Sequence, residues 1–137
     1  MPSIIADTGP LVAFLVETDS HHRWAVERFR ELQAPFLTCE PVLTETFYLV
    51  SRLRKGPRRF FELLDSGLLN VQFEVQIERV ALRKLIYKYS DLPMSLADAC
   101  LVRMSELLDD PIVFSTDRHF RIYRKNGRQM IPLLMPA

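Results

Sequence analysis

Four carboxylates stand where apolar runs end: Asp7 after Ser-Ile-Ile-Ala, Glu45 within Leu-Thr-Glu-Thr, Asp98 within Leu-Ala-Asp-Ala, and Asp117 after Ile-Val-Phe-Ser-Thr. A carboxylate beside a core is costly unless a cation or a hydrogen-bond donor compensates it. Four of them, on segments that alternate strand and helix, point to oxygen ligands gathered around a hard metal ion. Each aspartate also has a structural use. Asp7 could shape the turn demanded by Gly9 and Pro10, Asp98 sits three residues after Ser95 as in a capping box, and Asp117 could cap a following helix. Glu45 has no such alternative, since it lies past the first turn of its helix among apolar positions.

Other reactive side chains lack that placement. Asp91, Asp109, Asp110, Glu62, Asp65 and Glu106 fall in turns or on polar helix faces, where water accounts for them. His21 and His22 open a surface helix. Cys39 and Cys100 have no paired spacing for zinc or a disulfide and read as small buried hydrophobes. No phosphate-binding G-x-x-x-x-G-K-S/T loop, G-x-G-x-x-G fingerprint or G-x-S-x-G elbow is present, and no Ser/His arrangement favours a hydrolytic triad. The net charge of +1 does not mark a nucleic-acid binder, but its distribution is uneven. Arg52, Arg54, Lys55, Arg58 and Arg59 form one basic segment; Arg118, Arg121, Arg124, Lys125 and Arg128 form another. Guanidinium groups suit bidentate phosphate contacts, while solvated faces are the alternative.

The elements that must position the acids alternate along the chain. Ser3–Ala6 predicts a short buried strand, stopped by Asp7-Thr8-Gly9-Pro10, with Thr8 or Gly9 capping the helix that Pro10 begins. A helix capped by Asp19-Ser20 buries Trp24, Ala25, Phe29 and Leu32, and Phe36–Cys39 is a second strand. Glu40-Pro41 opens a helix to about Leu53 whose broad apolar face holds Val42, Leu43, Thr46, Phe47, Leu49, Val50 and Leu53, with Glu45 on its border. A short helix to Leu64 or Asp65 follows, then a strand over Leu68–Glu74 and an amphipathic helix over Glu78–Tyr89 with Ile77, Leu82, Leu85 and Ile86 on its stripe. Ser95 caps a helix to about Leu108 that turns Leu96, Cys100, Met104 and Leu107 inward. Ile112–Ser115 is a fourth strand, Arg118–Tyr123 a short helix, and Met130–Leu134 a fifth strand. Short, uniformly apolar strands separated by helices imply a parallel sheet covered on both faces. Sites in such sheets form beyond the carboxyl ends of the strands, where Asp7 and Asp117 sit.

At 137 residues, 48% hydrophobic and 26% charged, the chain has the length and composition of one globular domain, residues 1–137. No apolar run approaches the roughly 20 residues of a membrane span, and no secretory signal pattern opens it. A cytoplasmic location is expected.

The ordered set Ile-Ala-Asp7-Thr-Gly-Pro-Leu, Leu-Thr-Glu45, Leu-Ala-Asp98-Ala and Phe-Ser-Thr-Asp117-Arg-His-Phe resembles the PIN-domain nucleases, and within them the VapC-like toxins of toxin–antitoxin pairs. The resemblance runs through essentially the whole chain. It implies a three-layer α/β/α sandwich around a mainly parallel sheet of about five strands, and an endoribonuclease dependent on Mg2+ or Mn2+. It places Asp7, Glu45, Asp98 and Asp117 at the metal, with Thr8 and Thr116 supporting. His119 departs from the pattern, since many members carry an aspartate there. Divalent-metal chemistry would then make Asp7 a bridging ligand, Asp98 and Asp117 direct or water-mediated ligands, and Glu45 the group that orients the attacking water. Arg52, Arg54, Lys55, Arg118 and Arg121 would hold RNA phosphates. The resemblance further implies a homodimer and a small antitoxin protein, for whose helix Phe47-Tyr48-Leu49 and Phe60-Phe61 could line a groove.

Rival readings make distinct demands. An aspartyl phosphatase wants a second aspartate where Gly9 stands, and a receiver domain wants a lysine after a late strand, where only Lys125 in a polar loop is available. An RNA-processing nuclease without an antitoxin, or a non-catalytic RNA- or protein-binding module, would share the fold.

Overall fold

Strand-forming apolar residues alternate with helices from the first turn of the chain, and the computed structural model describes all residues from Met1 to Ala137. The elements are β1 (Ser3–Ala6), α1 (Thr8–Leu15), α2 (His22–Glu31), β2 (Phe36–Thr38), α3 (Glu40–Val50), α4 (Gly56–Asp65), β3 (Leu69–Val71), α5 (Arg79–Lys88), α6 (Leu96–Leu107) and β4 (Pro111–Phe114). A 3-10 turn over Arg118–Arg121 follows, then β5 (Arg124–Lys125), β6 (Gln129–Met130) and β7 (Leu133–Leu134). The main sheet has the order β3-β2-β1-β4-β7, every pair parallel. Consecutive side chains of a strand face opposite ways. Phe36 and Phe114 lie on the face that takes Phe29 of α2, with ring centroids 4.7 and 5.2 Å from it. Leu37, one residue on, looks the other way and shares a small recess with Met104, Leu107 and Leu108 at the end of α6. Helices thus cover both faces, giving the expected three layers around a mainly parallel five-stranded sheet.

Cys39 and Cys100 are fully buried, in keeping with their reading as small hydrophobes. The C-terminal part differs from expectation. Met130–Leu134 is not one strand: β6 belongs to a separate antiparallel hairpin with β5, and only Leu133–Leu134 joins the main sheet, beside β4. Asn126 and Gly127, both at positive φ, make the hairpin turn. Several apolar residues expected inside are on the surface: Leu49, Leu53, Ile77, Leu96 and Leu107 are all exposed. Leu49 lies on the free side of α3, and Leu53 falls in the turn beyond it, because α3 ends at Val50 and does not run on to Leu53. Ile77 precedes α5, and Leu96 and Leu107 are the first and last residues of α6. No helix is long and apolar enough to cross a membrane.

Candidate active site

The carboxyl ends of β1 and β4 are brought together by their pairing. Ala6 lies opposite Phe114, and the amide of Asp7 donates to the Phe114 carbonyl at 2.9 Å. The next pair in that register is Asp7 and Ser115. The Ser115 hydroxyl, itself fully buried, donates to Asp7 Oδ2 at 2.7 Å and accepts from the Asp117 amide at 2.9 Å. Asp7 Oδ1 meanwhile accepts from the Thr8 amide at 2.7 Å, so that Asp7, not Thr8 or Gly9, is the cap of α1. Burial pushes the Asp7 carboxyl from 3.8 up to about 7, with the charges of Asp98 and Asp117 adding to the rise and the bonds from Ser115 and Thr8 opposing it.

Asp98 arrives from the N-terminus of α6, where Ser95 and Asp98 form a complete capping box: the Asp98 amide donates to Ser95 Oγ at 3.0 Å and the Ser95 amide donates to Asp98 Oδ2 at 3.2 Å. Its carboxyl is also raised, mainly by burial and further by the charge of Asp117. The structural uses foreseen for all three aspartates are therefore realised. Capping does not explain why Asp98 and Asp117, on separate elements, sit close enough to oppose ionisation of Asp7, or Asp117 close enough to oppose that of Asp98.

A second pattern concerns the oxygens that remain. Both donors to Asp98, the Ser95 amide and the Tyr123 hydroxyl, use Oδ2. The one donor to Asp117, the His119 amide at 2.9 Å, uses Oδ1, and the His119 ring nitrogen Nδ1 lies 3.2 Å from that same oxygen. Glu45, exposed on the second turn of α3, accepts from the Thr8 hydroxyl at 3.0 Å through Oε2. Asp98 Oδ1, Asp117 Oδ2 and Glu45 Oε1 have no protein donor. Arg28 Nε is the one buried side-chain polar atom without a partner, so those oxygens reach solvent. Hard oxygen donors anchored at one atom and open at the other suit Mg2+ or Mn2+. No three His, Cys, Asp or Glu side chains already stand in the mutual reach of a finished coordination sphere. The fit rests on donor chemistry and shared charge. A recess of about 640 Å3 lies elsewhere, between α5, α6 and the β5–β6 turn, and none of the four acids lines it.

Thr116 does not bond to the acids. Its hydroxyl occupies the space that a Cβ on Gly9 would need, 2.1 Å away, and packs the loop after β4 over the start of α1. Ser115, one residue earlier, makes the bonds to the aspartates. Sequence reasoning missed it because only the β1–β4 register shows which of two adjacent hydroxyls faces Asp7. Arg118 and Arg121 are exposed, free of ion pairs and directly beyond Asp117. Arg52, Arg54 and Lys55 are likewise exposed and unpaired, but they follow the far end of α3, beyond the end of α1, roughly 12 Å along that helix from Asp7. In the same segment Arg59 is engaged by Glu17 and the Leu15 carbonyl, and Arg58 by Glu62. Arg124 spends its guanidinium on the carbonyls of Arg121, Ile122 and Tyr123.

The family model of the PIN domain matches residues 4–126, and the chain belongs to that family. Its fold is shared with VapC20 of Mycobacterium tuberculosis, described as a toxin that cleaves the sarcin–ricin loop: the TM-score is 0.67 at 22% identity, over 84% of this chain and 90% of that one. No curated protein sequence is similar enough to count as a match.

Proposed function

We propose that this PIN domain is an endoribonuclease dependent on Mg2+ or Mn2+, one domain over residues 1–137, that hydrolyses RNA phosphodiester bonds in the cytoplasm as the toxin of a type II toxin–antitoxin pair. The observation that carries the reading is the convergence of aspartates from the end of β1, from α6 and from the loop after β4: the charges of Asp98 and Asp117 oppose ionisation of Asp7, that of Asp117 opposes ionisation of Asp98, and Asp98 and Asp117 each keep one oxygen free. Family membership and the fold shared with an RNA-cleaving toxin support it.

A divalent cation bound among these groups would supply a Lewis acid that makes water a nucleophile near neutral pH and steadies the leaving oxygen. Asp7, with a lone pair left on each hydrogen-bonded oxygen, is suited to bridge. Asp98 offers Oδ1 and Asp117 offers Oδ2, directly or through water. The Thr8 hydroxyl holds Glu45 Oε2, leaving Oε1 to orient the attacking water. Arg118 and Arg121 grip phosphates beside the scissile bond, and Arg52, Arg54 and Lys55 contact the backbone farther along. The partner helix of an antitoxin seats on the α3–α4 surface. There Phe47 stacks edge-on with Phe60 and Phe61 beside an open recess of about 350 Å3, and Tyr48, Leu49 and Phe61 are exposed. A homodimer completes the assembly.

The test is cleavage of single-stranded RNA with Mg2+ or Mn2+. The parent should cut and EDTA should stop it. Asp7→Asn and Asp98→Asn, shown to be folded by circular dichroism, should lose on the order of 100-fold or more, beyond the usual effect of outer-shell changes. Parental cutting by those variants places the site elsewhere, and cutting in EDTA removes the metal from the account.

A further inference from the structure

Tyr123 is the largest of the fully buried side chains. A tyrosine hydroxyl removed from water needs a polar partner, and this one donates to Asp98 Oδ2 at 3.3 Å. Its ring is clamped edge-on by Tyr89, the residue just after α5, and by Phe120 of the 3-10 turn, with centroids 5.1 and 5.3 Å away. The Tyr89 hydroxyl accepts from the adjoining Arg124 amide at 2.9 Å and bonds to no carboxylate. Tyr123 follows Asp117 by six residues and reaches across to the carboxylate of α6. It therefore joins the two elements that carry Asp98 and Asp117. The Ser95 amide alone would leave the Asp98 carboxylate free to rock about one contact. A second donor on the same oxygen, mounted on an immobile ring, removes that freedom.

We propose that Tyr123 is a positioning residue of the metal site: its hydroxyl sets the rotation of the Asp98 carboxylate, so that Oδ1 faces the ligand position shared with Asp7 and Asp117, and holds α6 at a fixed distance from the Asp117 loop. The inference rests on the metal-nuclease reading. Hydrogen-bond partners of metal-ligating carboxylates typically change metal affinity or activity 10–100-fold when removed.

Tyr123→Phe keeps the ring and its packing and deletes only the hydroxyl. Tyr89→Phe is the control, since its hydroxyl meets a backbone amide and no carboxylate. Mn2+ affinity by calorimetry, melting in EDTA, and kcat and KM for RNA cleavage are measured for parent and variants. Tyr123→Phe should bind Mn2+ about 10-fold more weakly or worse. Its kcat should fall at limiting Mn2+ and recover at high Mn2+, with KM for RNA unchanged, while Tyr89→Phe keeps parental affinity. Parental Mn2+ affinity in Tyr123→Phe overturns the inference, as does an equal loss in Tyr89→Phe. A loss that tracks a melting point depressed below that of Tyr89→Phe overturns it as well. If the parent neither binds Mn2+ nor cuts RNA, the metal-nuclease reading itself has failed, and this inference falls with it.

Discussion

Asp7 is a group that prefers its proton when no cation balances it, because burial raises its carboxyl from 3.8 to about 7. Between those values the unfolded chain has released the proton that the native chain retains, so stability falls as pH rises through the window and levels off above it. At 1.36 kcal/mol per pKa unit the cost is on the order of 4 kcal/mol. The melting temperature in EDTA should therefore drop between about pH 4 and pH 7, and Asp7→Asn should flatten much of that slope while abolishing cleavage. An unchanged slope in Asp7→Asn would remove burial of this carboxylate as the cause. Ser115 supplies a bond that opposes the rise in the Asp7 pKa and also holds the Asp117 amide. Ser115→Ala should cost about 1–3 kcal/mol by denaturant unfolding, and should move the pH dependence of cleavage upward. Thr116→Val should leave that pH dependence in place, since the Thr116 hydroxyl hydrogen-bonds to neither aspartate; a larger shift from Thr116→Val would reverse the roles.

Two glycines show how the elements are seated. A Cβ on Gly56 would lie 1.7 Å from the Val50 carbonyl oxygen, a backbone atom at the end of α3 that cannot swing aside. A Cβ on Gly9 would meet the side chain of Thr116, which can give way only by moving the loop after β4 that carries it. Gly56→Ala should thus unfold more easily than Gly9→Ala, by about 1–3 kcal/mol or more, whereas Gly9→Ala should lose more activity because the loop that carries Asp117 must shift. Melting and cleavage assays on the pair check this, and the opposite ranking in stability contradicts it. Elements of several residues were legible in the sequence. Apolar runs at Ser3–Ala6 and Ile112–Val113, the Ser95 cap and the Gly56-Pro57 break all signal local structure that packing then confirms. The β5–β6 hairpin was not read, although Asn126-Gly127 is a turn signal, because two-residue strands carry no periodicity. Leu49 and Leu53 read as core because apolarity marks a face without showing whether anything covers it.

Across the whole molecule, Asp7, Asp98 and Asp117 gather near the carboxyl ends of β1 and β4, and Arg118 and Arg121, which form no ion pair, lie directly beyond Asp117. Arg118→Ala and Arg121→Ala should raise KM for RNA and weaken its salt dependence with kcat nearly unchanged. Arg58→Ala, which breaks only an exposed pair with Glu62, should do neither. If Arg58→Ala raises KM as much as the others, the path of the RNA lies elsewhere. The parallel sheet and the placement of Asp7 and Asp117 at strand ends follow from local apolar patterning. The companionship of Asp7 with Ser115, and of Asp98 with Tyr123, depends on strand register and on a side chain from a distant turn, which no local pattern reveals. That four separated acids serve one cation is tested most directly by anomalous scattering from crystals soaked in Mn2+. The expected result is a manganese peak bounded by the carboxylates of Asp7, Asp98 and Asp117 with Glu45 at its edge, absent in Asp7→Asn; a peak away from these side chains, or none in the parent at saturating Mn2+, contradicts it.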